Sequence, residues 1–214
     1  MRFARGRGGI VVNATEIRGL EQWETLKRSG VVREEHAVLA SGLHTGEVIH
    51  ADVTKQWHLR WFMDEVFQYL EQSTRGLEFD VMVGVPHGAD HFVEYITSML
   101  HRRQPYETHV RPVKIEKGLG GMVVPEGAIR PGERVLVLED TLTTGGSLEN
   151  ACQALVAAGA VIAGKFTIFN RSSRDGLAEE QGVQYFIRHA IADHDPTTCP
   201  LCAKGVPLVD PNAA

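Results

Sequence analysis

The sequence predicts an α/β protein with a mostly parallel central sheet flanked by helices. Short runs that are apolar at almost every position, such as residues 79–84 and 135–138, alternate along the chain with segments of helical periodicity. Strands of that kind are typical of sheets buried on both faces, and such sheets are mostly parallel. Ligands of open α/β sheets bind at the carboxyl ends of the strands, so that edge is where a site is expected.

Two helices and one extended piece are predicted for the N-terminal part. Apolar residues recur at three- to four-residue intervals over residues 16–27, and Gly30 ends that helix. Residues 31–41 follow in extended form. A long helix is expected over about residues 54–73, because its apolar side chains share one face.

The remaining residues repeat a strand–turn–helix pattern. Strands are predicted over residues 79–84, 135–138, 161–169 and 183–187. Helices are predicted over residues 89–100, 147–158 and 175–181. Residues 115–133 break the alternation, because they are rich in glycine and proline. We interpret them as a mobile loop or a loose hairpin of the kind that often forms a functional lid.

Composition narrows the class of protein. With 43% hydrophobic and 23% charged residues, the 214-residue chain has the balance of a soluble globular domain. A net charge of -5 argues against broad electrostatic binding to nucleic acid. No apolar stretch approaches the roughly 18 residues of a membrane span, and none follows the basic N-terminus as a secretory signal would require. The cysteines do not form a disulfide framework, so a cytoplasmic location is expected.

The strongest functional motif covers residues 135–147. A buried strand delivers Glu139 and Asp140 at its carboxyl end, and a turn of small polar residues then leads into a helix. Such turns and helix N-termini gather backbone N–H groups around phosphate. Two acids would repel a neighbouring phosphate, so they are expected to have another role. They could accept hydrogen bonds from sugar hydroxyls or lie near Mg²⁺. The motif therefore predicts a ligand with a phosphate beside a sugar diol.

This motif resembles the signature with which type I phosphoribosyltransferases bind 5-phosphoribosyl-1-pyrophosphate (PRPP). One position departs from it, since an apolar residue is more usual at Thr141. The resemblance implies that Glu139 and Asp140 are catalytic and contact the ribose hydroxyls, with Mg²⁺ held nearby, mainly through PRPP. It also implies a set of residues around the 5-phosphate, namely Thr141, Thr143, Thr144, Gly145, Gly146 and Ser147.

Other segments resemble the orotate branch of this family. His44 stands at the basic position of its N-terminal segment, and residues 86–88 resemble its pyrophosphate loop. Residues 114–121 resemble the flexible catalytic loop, with Leu119 where histidine is usual. The resemblance implies that His44 and Arg171 contact the nucleotide and base. It further implies catalytic roles for Lys114 and Lys117, and pyrophosphate binding by His87, Gly88 and Arg111.

Transfer of phosphoribose from PRPP to orotate, giving orotidine 5-monophosphate in pyrimidine biosynthesis, is the activity that the resemblance implies. A homodimer is expected, because in this family the mobile loop often closes over a neighbouring subunit. We expect residues 1–214 to form one domain, with a hood segment at 1–50, a core at 54–190 and a tail at 191–214. Transfer to another base, and a PRPP-binding regulator without turnover, remain alternatives.

A second motif, Cys199-Pro200-Leu201-Cys202, lies in that tail. Two cysteines with nearby histidines form zinc sites, so Cys199, Cys202 and His194 are candidate ligands. A tail turn with reduced thiols is the alternative interpretation. We expect His36 to be an ordinary surface or core histidine.

Overall fold

The computed structural model describes residues 14–39, 41–56, 59–86, 88–103 and 110–210. The helices are α1 (Ala14–Ser29), α2 (Arg60–Ser73), α3 (Asp90–Arg103), α4 (Gly146–Ala157), α5 (Leu177–Glu180) and α6 (Pro200–Ala203). The strands are β1 (Val32–Val38), β2 (His44–Ile49), β3 (Val81–Gly84), β4 (Arg111–Lys114), β5 (Glu116–Gly118), β6 (Gly121–Val123), β7 (Arg134–Leu142), β8 (Val161–Asn170), β9 (Val183–Arg188) and β10 (Asp193–His194). No helix within these ranges has the length and apolarity needed to cross a membrane.

The central sheet has five parallel strands in the order β4-β3-β7-β8-β9, which confirms the predicted α/β class. Successive side chains of its strands enter two different apolar cores. Met82 and Leu136 pack in the core that includes residues of α1, α2 and α3. Val83 and Val137 pack in the opposite core with residues of α4 and α5. Burial on both faces explains why the sequence shows continuous apolar runs here.

The strand order reverses direction between β3 and β7. From β3 the chain passes through α3 to β4 on one side, whereas β7, β8 and β9 follow in order on the other side. In open α/β sheets, such a reversal leaves a crevice beyond the carboxyl ends of the two strands. The loops that follow β3 and β7 therefore diverge around the expected position of a ligand.

A smaller sheet, β1-β2-β10, joins the two ends of the described chain. β2 pairs antiparallel with both β1 and β10. The C-terminal segment adds two backbone hydrogen bonds to β1, from Val38 to the Val209 carbonyl and from Val209 to the His36 carbonyl, at 3.1 and 2.8 Å. This sheet holds residues of the N- and C-terminal segments together beside the central sheet.

Four elements differ from the predictions, and the glycine-rich segment takes one of its two predicted forms. The long helix begins at Arg60, because residues Ala51–Lys55 form a separate 3-10 turn. Strands β2, β4 and β10 were not predicted. Residues 116–123 adopt the hairpin form of the glycine-rich segment, with β5 and β6 paired antiparallel.

Candidate functional site

A cavity of about 810 Å³ opens at the carboxyl ends of β3 and β7. Its wall contains most of the residues expected from the PRPP motif: Gly88, Lys117, Glu139, Asp140, Thr141, Thr143, Thr144, Gly145, Gly146, Ser147 and Arg171. Its other lining residues are Val38, Leu39, Ser41, Val48, Ile49, His50, Ala51, Asp52, Lys55 and Pro86. The fold therefore brings the predicted turn, the two acids and Arg171 around one space.

The turn predicted to bind phosphate runs from the end of β7 into α4. Gly145 is the N-cap of α4 and has a φ of 81°, a left-handed conformation that favours glycine. A Cβ at this position would also collide with the Gln181 side chain. The turn consequently brings the backbone and the N-terminus of α4 to the cavity, an arrangement that suits an anion.

Glu139 is buried at the end of β7, with 7% of its surface exposed. Its Oε2 atom has no hydrogen-bond partner within the described part of the chain. Burial, and secondarily the charge of Asp140, raises the pKa of Glu139 to about 8. A buried oxygen without a partner is costly, so this carboxyl group is well placed to form a hydrogen bond with a ligand.

Asp140 lies against the turn that follows β3. Burial raises the pKa of its carboxyl group, although hydrogen bonds from its own N–H and from Thr141 oppose the shift. A Cβ added to Gly88 would overlap the Asp140 carboxylate. Only glycine therefore permits this close approach of the two loops that flank the crevice.

Arg171 reaches the cavity from the end of β8. It is 2% exposed. Its Nη2 atom donates to Asp193 Oδ1 at 2.6 Å and to Thr45 Oγ1 at 2.7 Å. Burial raises the pKa of Asp193, against the opposing attraction of the Arg171 guanidinium. Asp193 was not predicted, because its partner Arg171 lies 22 positions away, directly after another strand.

The positive charges of the cavity differ from those expected. Lys117, on β5, lines the cavity. Lys55, which was not predicted, lines it as well, and it is the last residue of the 3-10 turn that also presents Asp52. Lys114 instead forms an exposed ion pair with Glu94 of α3 at 2.7 Å and is not a lining residue.

Arg111 lies at the amino-terminal ends of the strands of the central sheet, on the side away from the cavity. It begins β4, opposite Val81 at the start of β3, whereas the cavity is at the ends of these strands. Its guanidinium bonds to Glu133 at 2.5 Å and to the Ala128 carbonyl at 2.9 Å. The expected pyrophosphate role of Arg111 is therefore corrected to a structural one. His87 lies outside the described residues.

His44 does not face the cavity. Its Nδ1 atom lies 3.3 Å from Cys202 Sγ and 3.3 Å from His36 Nε2. The expected contact of His44 with the nucleotide is corrected accordingly. His194 pairs with His44 across the strands β2 and β10, yet it is not in the group of ligand atoms around the two cysteines. The cluster of candidate ligand atoms therefore differs from the predicted set, because it contains His36 and His44 and does not contain His194.

No protein-family model matches the chain. It is 28% identical over 192 residues to the orotate phosphoribosyltransferase of Chlorobium phaeobacteroides, covering 89% of this chain and 93% of that protein. The structure is similar to UMP synthase of Leishmania donovani, with a TM-score of 0.63, 18% identity and coverage of 79% of this chain but only 36% of that one. It is also similar to adenine phosphoribosyltransferase of Thermoanaerobacter pseudethanolicus, with a TM-score of 0.54, 17% identity and coverage of 78% of this chain and 99% of that one.

The fold is that of the type I phosphoribosyltransferases, as the parallel sheet and the similar structures show. Within that class, the chain is a sequence relative of curated orotate phosphoribosyltransferases. The resemblance stated from the motifs is thereby confirmed.

Proposed function

We propose that this protein is a phosphoribosyltransferase that transfers phosphoribose from PRPP to orotate, forming orotidine 5-monophosphate and pyrophosphate. One observation carries the proposal. The acids at the end of β7, the turn into α4 and the buried Arg171 surround a single cavity at the reversal point of the sheet. This arrangement suits a phosphorylated sugar with an anionic base beside it, and the curated orotate enzymes cover nearly the whole chain.

The PRPP 5-phosphate is assigned to the turn between β7 and α4. Backbone N–H groups and the dipole of a 12-residue helix favour an anion there. The hydroxyls of Thr141, Thr143, Thr144 and Ser147 supply further donors. Gly145 and Gly146 leave the phosphate room to approach the backbone.

The ribose is assigned to Glu139 and Asp140. Sugar hydroxyls donate hydrogen bonds, and the unpartnered Oε2 of Glu139 is an acceptor in the cavity wall. Two carboxylates also provide the oxygen ligands that Mg²⁺ prefers, so Mg²⁺ carried by PRPP fits beside them. Mg²⁺ would neutralise part of the charge of the departing pyrophosphate. Lys117 and Lys55 add positive charge in the same wall, and Gly88 leaves space for the pyrophosphate.

Arg171 is assigned to the carboxylate of orotate. Its Nε atom is buried without a partner among the described residues, so it keeps a donor for a ligand. Positioning of base and ribose, together with stabilisation of the leaving group, then constitutes the catalysis that this site can perform. The loop lacks the usual histidine proton donor, because Leu119 occupies that position.

Transfer to an uncharged base is the second candidate, and one contact favours it. Asp193 already balances the charge of Arg171 at 2.6 Å, so an anionic base is not needed to compensate that guanidinium. The adenine enzymes with the same fold accommodate a different base on the same scaffold.

The test is an assay with PRPP, Mg²⁺ and either orotate, uracil, adenine, guanine or xanthine. Nucleotide formation is followed by chromatography, and orotate consumption by its absorbance. Turnover of orotate alone supports the proposal, and turnover of another base alone overturns it in favour of the second candidate. PRPP binding in calorimetry without any turnover would instead identify a regulator. The double variant Glu139→Ala/Asp140→Ala is the control, because it should bind no PRPP.

We further propose a cytoplasmic homodimer in which residues 1–214 act as one unit, with the hood, core and tail at 1–50, 54–190 and 191–214. The hairpin of β5 and β6 supports the dimer, because Leu119 at its tip is fully exposed and Lys114 does not face the cavity of its own chain. The free cysteines support a reducing compartment.

A further inference from the structure

Four side chains outside the cavity converge on one point. His36 comes from β1, His44 from β2, and Cys199 and Cys202 from the start of α6. One ligand atom from each lies within 4.8 Å of all the others. His36, His44 and Cys199 are at least 93% buried, at 5%, 7% and 3% exposure, whereas Cys202 is exposed. None of the four lines the cavity described above.

Four of the six separations between these ligand atoms match the edges of a tetrahedron around zinc. With Zn–S of about 2.3 Å and Zn–N of about 2.05 Å, a tetrahedral site has N···N edges of about 3.3 Å and S···N edges of about 3.6 Å. His36 Nε2 and His44 Nδ1 lie 3.3 Å apart. The sulfur–nitrogen distances are 3.4 Å for Cys199 to His36, 3.6 Å for Cys202 to His36 and 3.3 Å for Cys202 to His44.

The surroundings orient the ligands as a metal requires. His36 Nδ1 lies 2.8 Å from the Val206 carbonyl and must donate to it, which leaves the lone pair of Nε2 directed at the cysteines. Val206 is itself held by a hydrogen bond to the Leu201 carbonyl at 3.0 Å. The pairing of β1 with β2 shifts register between Glu34 and Ala37, and such a bulge re-aims the side chain of the residue it contains, here His36.

We propose that His36, His44, Cys199 and Cys202 bind one structural Zn²⁺ ion, which fastens the C-terminal segment to the hairpin of β1 and β2. A tetrahedral set of two sulfurs and two imidazoles is typical of zinc, and four protein ligands leave no open position for catalysis. Thr45, next to His44, contacts Arg171. The ion therefore stabilises the strand that supports the base side of the cavity, while it stays outside the chemistry.

Metal analysis of the full-length protein tests this proposal. Reduced wild-type protein grown with zinc should contain about one zinc ion per chain, and X-ray absorption should show two sulfur and two nitrogen ligands. The variants His44→Asn and Cys202→Ser should lose most of that zinc. Their matched controls, His194→Asn and Cys152→Ser, should retain it, because His194 and Cys152 lie outside the group.

Three results would overturn the zinc proposal. Reduced wild-type protein that neither contains zinc nor takes it up would overturn the proposal, and this result does not depend on whether a variant folds. A quantitative disulfide between Cys199 and Cys202 under reducing conditions, or loss of zinc in His194→Asn equal to that in His44→Asn, would overturn it as well.

Discussion

The two walls of the cavity are assembled in different ways. The phosphate wall comes from one continuous segment, the end of β7 and the start of α4, and is fixed by the buried central strand. The base wall combines Arg171 with Thr45, 126 positions away, and with Asp193 on a third segment. The first wall depends on backbone conformation and the second on side chains that hold distant strands together. Substitutions in the two walls should therefore fail for different reasons.

The largest expected effect on PRPP binding is that of Gly88→Ala, in the turn that lies against Asp140 of the phosphate wall. The added methyl group would occupy the position of the Asp140 carboxylate, so the two loops beside the crevice must separate. Misplacement by about 1 Å in such a site costs on the order of 100-fold, and we expect PRPP affinity to fall by at least that factor. Isothermal titration calorimetry with PRPP and Mg²⁺ measures it.

Gly120→Ala is the matched control, because a Cβ there meets nothing within 4 Å. It should leave the PRPP affinity and the melting temperature close to those of the wild type. If Gly88→Ala bound PRPP as tightly as Gly120→Ala, the contact between Gly88 and Asp140 would have no part in the site.

Asp193→Asn acts on the base wall, and it should have the largest effect on stability. The side chains of Arg171 and Asp193 are 3% and 7% exposed, so the substitution leaves a buried guanidinium without its counter-charge. Removing one partner of a buried pair costs about 3–5 kcal/mol in free energy of unfolding. Urea denaturation measures the loss, and an anionic base should then stabilise the variant more than it stabilises the wild type.

Asp175→Asn provides the comparison for that loss. Asp175 pairs with Arg188, but its side chain is 99% exposed, so its removal should have little measurable effect. Equal losses for Asp193→Asn and Asp175→Asn would contradict the assignment of Arg171 and Asp193 as the link that holds the base wall.

The contrast between the continuous phosphate wall and the assembled base wall also explains which parts of the site could be predicted from sequence. The acids and the phosphate turn were found because strand, turn and helix follow one another without interruption, and local pattern is sufficient there. β10 has only two residues and no periodicity to detect. The partnership of His36 with Cys199 spans 163 positions and depends on a register shift in β1, so spacing along the chain suggested His194 instead.

Arg111 and Lys114 show a further limit of predicting site residues from sequence motifs. Lys114 stands in the segment that resembles the catalytic loop, and the resemblance implied a pyrophosphate role for Arg111. Direction along a strand, however, decides whether a side chain reaches the carboxyl edge of the sheet. β4 places Arg111 at its start, and an ion pair with Glu94 holds Lys114 outside the cavity. Lys55 had no motif around it, although it lies in the same wall as Lys117.

The smallest expected effect concerns stability and pH, through Glu139→Gln. Burial raises the pKa of Glu139 from 4.5 to about 8 in the folded protein. Between these pKa values the folded state binds more protons than the unfolded state, so this residue makes stability fall as pH rises. Gln resembles the protonated acid and removes that slope. The variant should match the wild type at about pH 5 and exceed it by about 2–4 kcal/mol at about pH 9.

Urea denaturation at the two pH values measures this difference, with the exposed Glu149→Gln as control. Because each variant is compared with the wild type at the same pH, titration elsewhere in the protein cancels. A stability difference that stays constant with pH would mean that the folded protein does not raise the pKa of Glu139. The expected gain at high pH should be accompanied by weaker PRPP binding, since the ribose hydroxyls would lose a charged acceptor. In that case the phosphate wall lowers the stability of the ligand-free protein at high pH. The reason is that the partner of the buried Glu139 charge comes from the ligand and not from the protein.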